Sequence, residues 1–527
     1  MKITLISLQM HPVALGLRYV SSRLKRDGHD VEMIFMVSKH DTPDGGFSES
    51  LVADLVGRLR DRDLIGMSLM TISFYRACAL TRRIREAGVT TPIVWGGTHA
   101  TVAPDECLEI ADVVCVGEGE GPMSALAGRL EAGEDPKDVP GLGFRGGGPF
   151  GNARTIRNPV GLLERDLDAH PFPDYELETH WVAGRDRLVP ARVGNLRGTL
   201  QRLRVLSTRG CPNRCTFCNN AGWRQIYKGK GPWVRMRSVD NVLDEIQAVR
   251  ERFGTIRAIN VVDDLFFVRD EAEIDEFAVK YAQRVNLPLE LDAYPNTITE
   301  AKIRSLTRLP FRLISMGIES ASPDTLQNIY NRPTPIENIV RSIELFHRYR
   351  IPAEYHYLVG NPYEPEENVV ETMRFIASHH KGPANLRVFP LMFYPGTPLC
   401  ERARADGLIE DRDERAYRHK FTGSSELAGH DYLTVWLRAV LYLRNVGLPS
   451  GPVHRLIDVV THRGVRRCID RPWLTSLAFR SYQTGRKLIR HLVSQPLGRM
   501  LRYLRRKRQP DAPGPRARDV LSHGTPA

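Results

Sequence analysis

Short apolar runs alternate with amphipathic stretches along most of this chain. Lys2 to Leu8, Val31 to Val37, Leu64 to Leu69, Ile93 to Trp95 and Val113 to Val116 read as buried strands. Between them, Leu17 to Arg26, Ser50 to Arg60 and Phe74 to Ala87 repeat their apolar residues at helical spacing, and Gly28 stands where the first helix should end. Strand–helix alternation of this kind predicts a parallel, doubly wound sheet with its ligand at the carboxyl ends of the strands. The pattern resumes later. Strands are expected at Val205 to Ser207, Ala258 to Val262, Glu290 to Ala293, Leu313 to Ile318, Glu354 to Val359 and Asn385 to Met392. The intervening helices are Val239 to Phe253, Ile274 to Val285, Glu300 to Arg308, Pro335 to Tyr349 and Glu366 to Ser378. About six such units make a partial (β/α)6 barrel, again with chemistry at the strand ends.

The fold class is therefore α/β: a Rossmann-like domain over 1–140, a connector over 141–200, a partial barrel over 201–420 and a helical, basic region over 421–527. The connector is rich in Gly and Pro and predicts a small hairpin followed by an extended segment, Pro171 to Tyr175. A chain of 527 residues with 42% hydrophobic content fits several globular domains.

Charge changes this picture only at one end. From Thr461 to Ala527 there are 16 Lys and Arg against 3 Asp and Glu, which accounts for the net charge of +12 and leaves the remainder close to neutral. A neutral body argues against a nucleic-acid-binding core. From Leu477 onward apolar residues recur near every fourth position among arginines. Such a helix can lie on an anionic membrane, or pack on the protein with a solvated basic face. The N-terminus lacks a signal-peptide pattern and no stretch is long enough to span a bilayer. Eight Cys in a chain this long are no disulfide scaffold, which fits a cytoplasmic setting, with peripheral contact at the inner membrane face if the tail binds lipid.

Three of those cysteines carry the chemistry. Cys211, Cys215 and Cys218 lie in the loop after a predicted strand, within STRGCPNRCTFCNN, spaced C-x-x-x-C-x-x-C. Three thiolates this close suit a soft metal centre and fall one short of the four that a closed zinc or iron–sulfur site takes. No Cys or His follows in the next hundred residues to complete a zinc knuckle. The spacing, with Phe217 before the last Cys, resembles the radical S-adenosylmethionine (SAM) superfamily. That resemblance implies a [4Fe-4S] cluster on these cysteines, with SAM on the fourth iron and an external donor of the flavodoxin or ferredoxin type. Further residues match the family's landmarks: Asp263 and Asp264 after the second barrel strand, Gly317 to Ser320 (GIES) and the Gly360-Asn361-Pro362 turn. They imply that Asp263, Asp264, Glu319 and Ser320 contact SAM; the alternative is that these residues only cap helices.

The first domain ends its strands in hydroxyls and glycines: Ser68 and Thr71, Gly96 and Gly97, and Gly117 with its Glu118-Gly119-Glu120-Gly121 continuation. Bare backbone at a sheet edge lets a bulky ligand approach. This set resembles the cobalamin-binding domains fused to radical SAM domains, and implies that Ser68, Thr71, Gly96, Gly97 and Gly117 line a cobalamin site. A generic nucleotide-binding domain is the alternative, weakened by the absence of GxGxxG after the first strand. His11 occupies the loop where other cobalamin domains place a cobalt ligand in DxHxxG, but the flanking Asp and Gly are missing, and a plain loop histidine is the expectation.

The combined resemblance is to cobalamin-dependent radical SAM enzymes. It implies methyl transfer to an unactivated carbon through a 5′-deoxyadenosyl radical. A cyclase or oxidative rearrangement on a lipid or tetrapyrrole is the second enzyme reading, and a cobalamin or redox sensor the non-enzyme one. The substrate is a small molecule or a lipid, and the sequence does not choose.

Overall fold

The computed structural model describes residues 1–9, 11–37, 46–380, 385–418 and 432–470. Two compact units result, Met1–Thr461 and His462–Ala527. In the second unit the described residues form one short helix, Arg463–Ile469, whose first turn is capped by the His462 side chain. The amphipathic tail expected from Leu477 onward lies outside the described residues.

The larger unit holds two principal sheets. The first is built on β1 (Lys2–Ser7), β2 (Asp30–Phe35), β3 (Leu64–Ser68), β4 (Ile93–Gly96) and β5 (Val113–Cys115). These five are parallel and ordered β5-β4-β3-β1-β2. The order reverses between β1 and β3, which opens a crevice at their carboxyl ends. The strands are apolar on both faces because helices cover both, so Ile3, Leu5, Ile6, Ile65 and Trp95 are almost wholly buried.

The stretch expected to connect the domains is instead built into this sheet. β6 (Leu142–Phe144) and β7 (Ile156–Arg157) form the predicted hairpin and extend one edge antiparallel to β5. β8 (His180–Ala183) and β9 (Leu188–Pro190) extend the other edge, with β8 parallel to β2. Nine strands result. The extended segment before β8 is pinned to the first helix, Leu15–Arg26. Ser21 Oγ donates to Asp174 Oδ2 at 2.6 Å, and the Lys25 ammonium stands 2.9 Å from the same oxygen.

The second sheet is the partial barrel: β10 (Arg202–Val205), β13 (Ala258–Val261), β14 (Leu289–Ala293), β15 (Phe311–Glu319), β16 (Ala353–Val359) and β17 (Asn385–Pro390). All neighbours are parallel and in sequence order. A two-stranded ribbon, β11 (Thr208–Arg209) with β12 (Arg235–Met236), stands beside it. Along β15 the residues facing the helices, Ile314, Met316 and Ile318, are buried, while Ser315, Gly317 and Glu319 alternate with them on the other face. Side chains cap the starts of two barrel helices. Ser238 starts the helix Val239–Phe253, and Asp270 with Glu273 forms a capping box on Glu271–Arg284.

Candidate functional site

The cysteine loop leaves β11 at Gly210, whose φ of +86° suits glycine alone. A Cβ there would overlap the Trp233 carbonyl. From the same side, Trp233 Nε1 donates to the Cys211 carbonyl at 2.9 Å. The middle of the loop is strapped to the segment after β15. Thr216 N–H donates to the Tyr330 carbonyl at 2.9 Å and Thr216 Oγ1 to the Ile329 carbonyl at 2.7 Å. The Phe217 ring meets the Tyr330 ring edge-on at 5.0 Å, which gives the aromatic of the motif a packing role. Cys215 is buried, and Cys211 and Cys218 are half-buried.

Burial raises the Cys211 thiol pKa and pushes that of Cys218 up to about 12; the neighbouring thiols and Asp264 act in the same direction. Among the described residues, no three His, Cys, Asp or Glu side chains gather as ligands to a single ion. A four-iron cluster makes a different demand, because each thiolate binds its own iron. Three thiols on one short loop, with no fourth, fit a [4Fe-4S] group with one open iron. Loading it would release the thiol protons.

Asp263 and Asp264 divide their work. Asp263 is buried; it accepts N–H bonds from Ser207 at 2.6 Å and Thr208 at 2.9 Å, and a further bond from Ser207 Oγ. Its carboxylate holds the entry to the cysteine loop, and burial raises its pKa to about 6. Asp264 is exposed and accepts from Gly210 N–H at 3.1 Å and Asn220 Nδ2 at 2.8 Å.

Asp264, Asn220 and Gly210 form one wall of a cavity of about 350 Å³, or about 1350 Å³ when its space open to solvent is included. The opposite wall is the carboxyl edge of the first sheet: Ser68, Gly96, Gly97 and Gly117. Two of its glycines are required. Gly97 has φ +92°, and a Cβ there would stand 2.8 Å from the Leu69 carbonyl oxygen; Gly117 has φ +87°, and a Cβ would overlap the Tyr227 hydroxyl. This backbone-lined edge, capped by Trp223 and Trp233, fits a large planar cofactor such as cobalamin. Thr71 does not line it. Its side chain is buried and its hydroxyl meets His99 Nδ1 at 3.3 Å. His11 is exposed and outside the cavity wall, whereas Gln9 and Met70 are part of it.

Ion pairs join the two walls. Arg209 pairs with Glu120 at 2.6 Å and with Glu118 at 3.1 Å, and Arg235 also pairs with Glu118. The Tyr227 hydroxyl accepts the Glu118 N–H at 2.7 Å. Arg209, Tyr227 and Arg235 carried no recognisable signal in sequence, because their partners lie about a hundred residues away.

Glu319 and Ser320 line a second cavity, of about 390 Å³, with Gly360, Asn361 and Glu364. Ser320 Oγ donates to Glu364 Oε1 at 3.0 Å and meets Thr372 Oγ1 at 3.1 Å. Glu319 has φ +70°, and burial raises its pKa against the opposing pull of Arg332. Its carboxyl and the Arg332 guanidinium close over Gly317, where a Cβ would find no room.

Arg332 is a further residue that sequence reasoning missed. It is 9% exposed, Nη2 donates to the Gly317 carbonyl at 2.7 Å, Nη1 donates to Cys215 Sγ at 3.4 Å, and the guanidinium lies 4.3 Å over the Tyr294 ring. Its buried Nε has no hydrogen-bond partner, and the Glu319 carboxyl supplies an opposing charge nearby. A buried, incompletely satisfied guanidinium beside the cysteine loop fits the carboxylate of SAM. The signal for it was the Asn331-Arg332-Pro333 step: Asn331 takes φ +46°, and the turn it makes carries Arg332 beneath the loop.

A model of the B12 binding domain matches residues 1–127 and a model of the radical SAM superfamily matches residues 205–376. The chain thus carries a B12-binding domain followed by a radical SAM domain. It is 27% identical to an uncharacterized methyltransferase of Pyrococcus horikoshii, over 82% of this chain and 89% of the relative. It is 26% identical to the bacteriochlorophyllide d C-12(1)-methyltransferase of Chlorobaculum tepidum, over 71% of this chain and 73% of the relative. Its fold resembles that of the radical SAM methyltransferase TsrM of Kitasatospora setae, solved with cobalamin and a [4Fe-4S] cluster. The TM-score is 0.60 at 18% identity, covering 77% of this chain and 75% of that one.

Proposed function

We propose that this protein is a cobalamin-dependent radical SAM methyltransferase that adds a methyl group to an unactivated carbon of a small molecule. The observation that carries the reading is the shared cavity: Ser68, Gly97 and Gly117 on one wall, Gly210, Asn220 and Asp264 on the other. Two cofactor seats opening on one chamber allow a substrate carbon to face both. Methyltransferase relatives support the same activity.

When bound, the cluster with SAM supplies a 5′-deoxyadenosyl radical, and cobalamin supplies a transferable methyl group. The chain does the rest. Cys211, Cys215 and Cys218 hold the cluster; Arg332, Glu319 and Asp264 offer SAM opposite charges for its carboxylate and its cationic amine and sulfonium. Ser68, Gly96, Gly97 and Gly117 cradle cobalamin. Trp223, Trp233 and Leu206 line the chamber and keep water from a reactive radical. Among the described residues, no helix is long and apolar enough to cross a membrane. Contact of the basic tail with an anionic membrane remains part of this proposal, as does a flavodoxin- or ferredoxin-type donor.

Anaerobic reconstitution with iron, sulfide, cobalamin and SAM, followed by mass spectrometry, tests the reading. The expected product is heavier by one methyl group. A product that has lost hydrogens or gained oxygen would instead place the protein with ring-forming or oxidative enzymes. Cofactor binding without SAM cleavage would place it among sensors.

A further inference from the structure

The three cysteine sulfurs are not equivalent. Cys211 Sγ accepts from the neutral Asn213 amide at 3.5 Å. Cys215, the most buried of the three at 6% exposure, accepts from a guanidinium at 3.4 Å. That guanidinium cannot drift. Nη2 is fixed by the Gly317 carbonyl, the plane is stacked on Tyr294, and the main chain is held by the turn before Pro333. The Tyr294 ring is itself anchored, its hydroxyl 3.0 Å from Thr334 Oγ1.

We infer that Arg332 sets the reduction potential of the cluster through its charged hydrogen bond to the Cys215 sulfur. This rests on the reading of Cys211, Cys215 and Cys218 as cluster ligands. Reduction adds one electron, from an external one-electron donor, to a cluster whose thiolates are already negative. A fixed positive donor at a sulfur stabilises the more negative state, and hydrogen bonds to sulfur together with burial are recognised determinants of cluster potential. A guanidinium keeps its protons at any working pH, so the donor is present in both redox states. Arg332 is thus a positioning and tuning residue, with Nη2 held by the Gly317 carbonyl.

The test is an EPR-monitored redox titration of the reconstituted full-length protein without SAM, comparing wild type, Arg332→Lys and Arg332→Met. Removing charge and donor together in Arg332→Met should lower the midpoint by at least a tenfold change in the oxidised-to-reduced ratio, about 59 mV for one electron. Arg332→Lys, which keeps the charge, should recover part of the shift. Coincident midpoints at wild-type iron content would overturn the inference. So would variants that lose only SAM affinity, which would leave Arg332 as a carboxylate receptor and nothing more. If Arg332→Met loads iron poorly, Arg332→Gln, which keeps an amide donor and loses the charge, decides, and a midpoint identical to wild type overturns the inference. A wild-type protein that takes up no cluster fails the cysteine reading itself.

Discussion

The two walls of the central cavity are made of different materials. On the first sheet the wall is main chain: Gly97 and Gly117 at positive φ and the short Ser68 side chain. On the barrel side it is side chains, Asp264, Asn220 and the tryptophans, with the cysteine loop continuing from Gly210. A large cofactor is held by fit, and fit is lost when an atom is added. A cluster and a small zwitterion are held by ligation and charge, and these are lost when atoms are removed. Opposite kinds of substitution should therefore disable the two walls.

The sharpest break is on the barrel side. Cys215→Ala should abolish the cluster spectrum and reductive formation of 5′-deoxyadenosine while leaving cobalamin binding intact. Loss of both cofactors would mean that the walls are not separable. The converse is Gly117→Ala. The added methyl meets the Tyr227 hydroxyl and sits on a backbone that disfavours any Cβ. It should cost more than about 1 kcal/mol of stability and weaken cobalamin binding about tenfold or more, read by absorbance titration, with iron content unchanged.

Next comes the seam between the walls. The Glu120 side chain is 6% exposed and pairs with Arg209 across it. Glu120→Gln leaves a largely buried guanidinium short of a partner and should destabilise the protein by about 3 kcal/mol in urea unfolding. An unchanged midpoint would show that Glu118 alone holds the seam.

A further effect concerns pH. The folded-state pKa of Asp263 is raised from 3.8 to about 6 by burial. Its neutral form is therefore favoured in the folded state. The resulting stability is fully present below about pH 4 and is lost as pH rises through about 6. Relative to Asp263→Asn, wild type should lose stability across that window with a slope of up to about 1.4 kcal/mol per pH unit. A pH-independent difference between the two would mean that the Ser207 and Thr208 bonds outweigh desolvation.

The barrel strands show where reading from sequence stops. β10 was expected at Val205 to Ser207 and is found at Arg202–Val205. Arg202 and Arg204 face one side of the sheet, and their polarity hides a strand whose other face, Leu203 and Val205, is buried. β14 differs by a single residue, found at Leu289–Ala293 against the expected Glu290 to Ala293. The first sheet, apolar on both faces, was legible almost to the residue. The connector was the larger departure: its strands are two to four residues long and gain their stability from sheet edges supplied elsewhere in the chain.

Sequence by itself determined the cysteine triad, the order of strands and helices, and the glycines of the first wall. These are local features, set by spacing, by periodicity and by backbone conformations that only glycine takes without strain. Tertiary structure decided which neighbours of those motifs matter. It turned Thr71 inward and Ser68 outward, gave Asp263 to the main chain and Asp264 to the cavity, and brought Arg332 under Cys215 from 117 residues away. Hydrogen bonding and burial depend on which surfaces meet, and strands distant in sequence meet only once the sheets have formed.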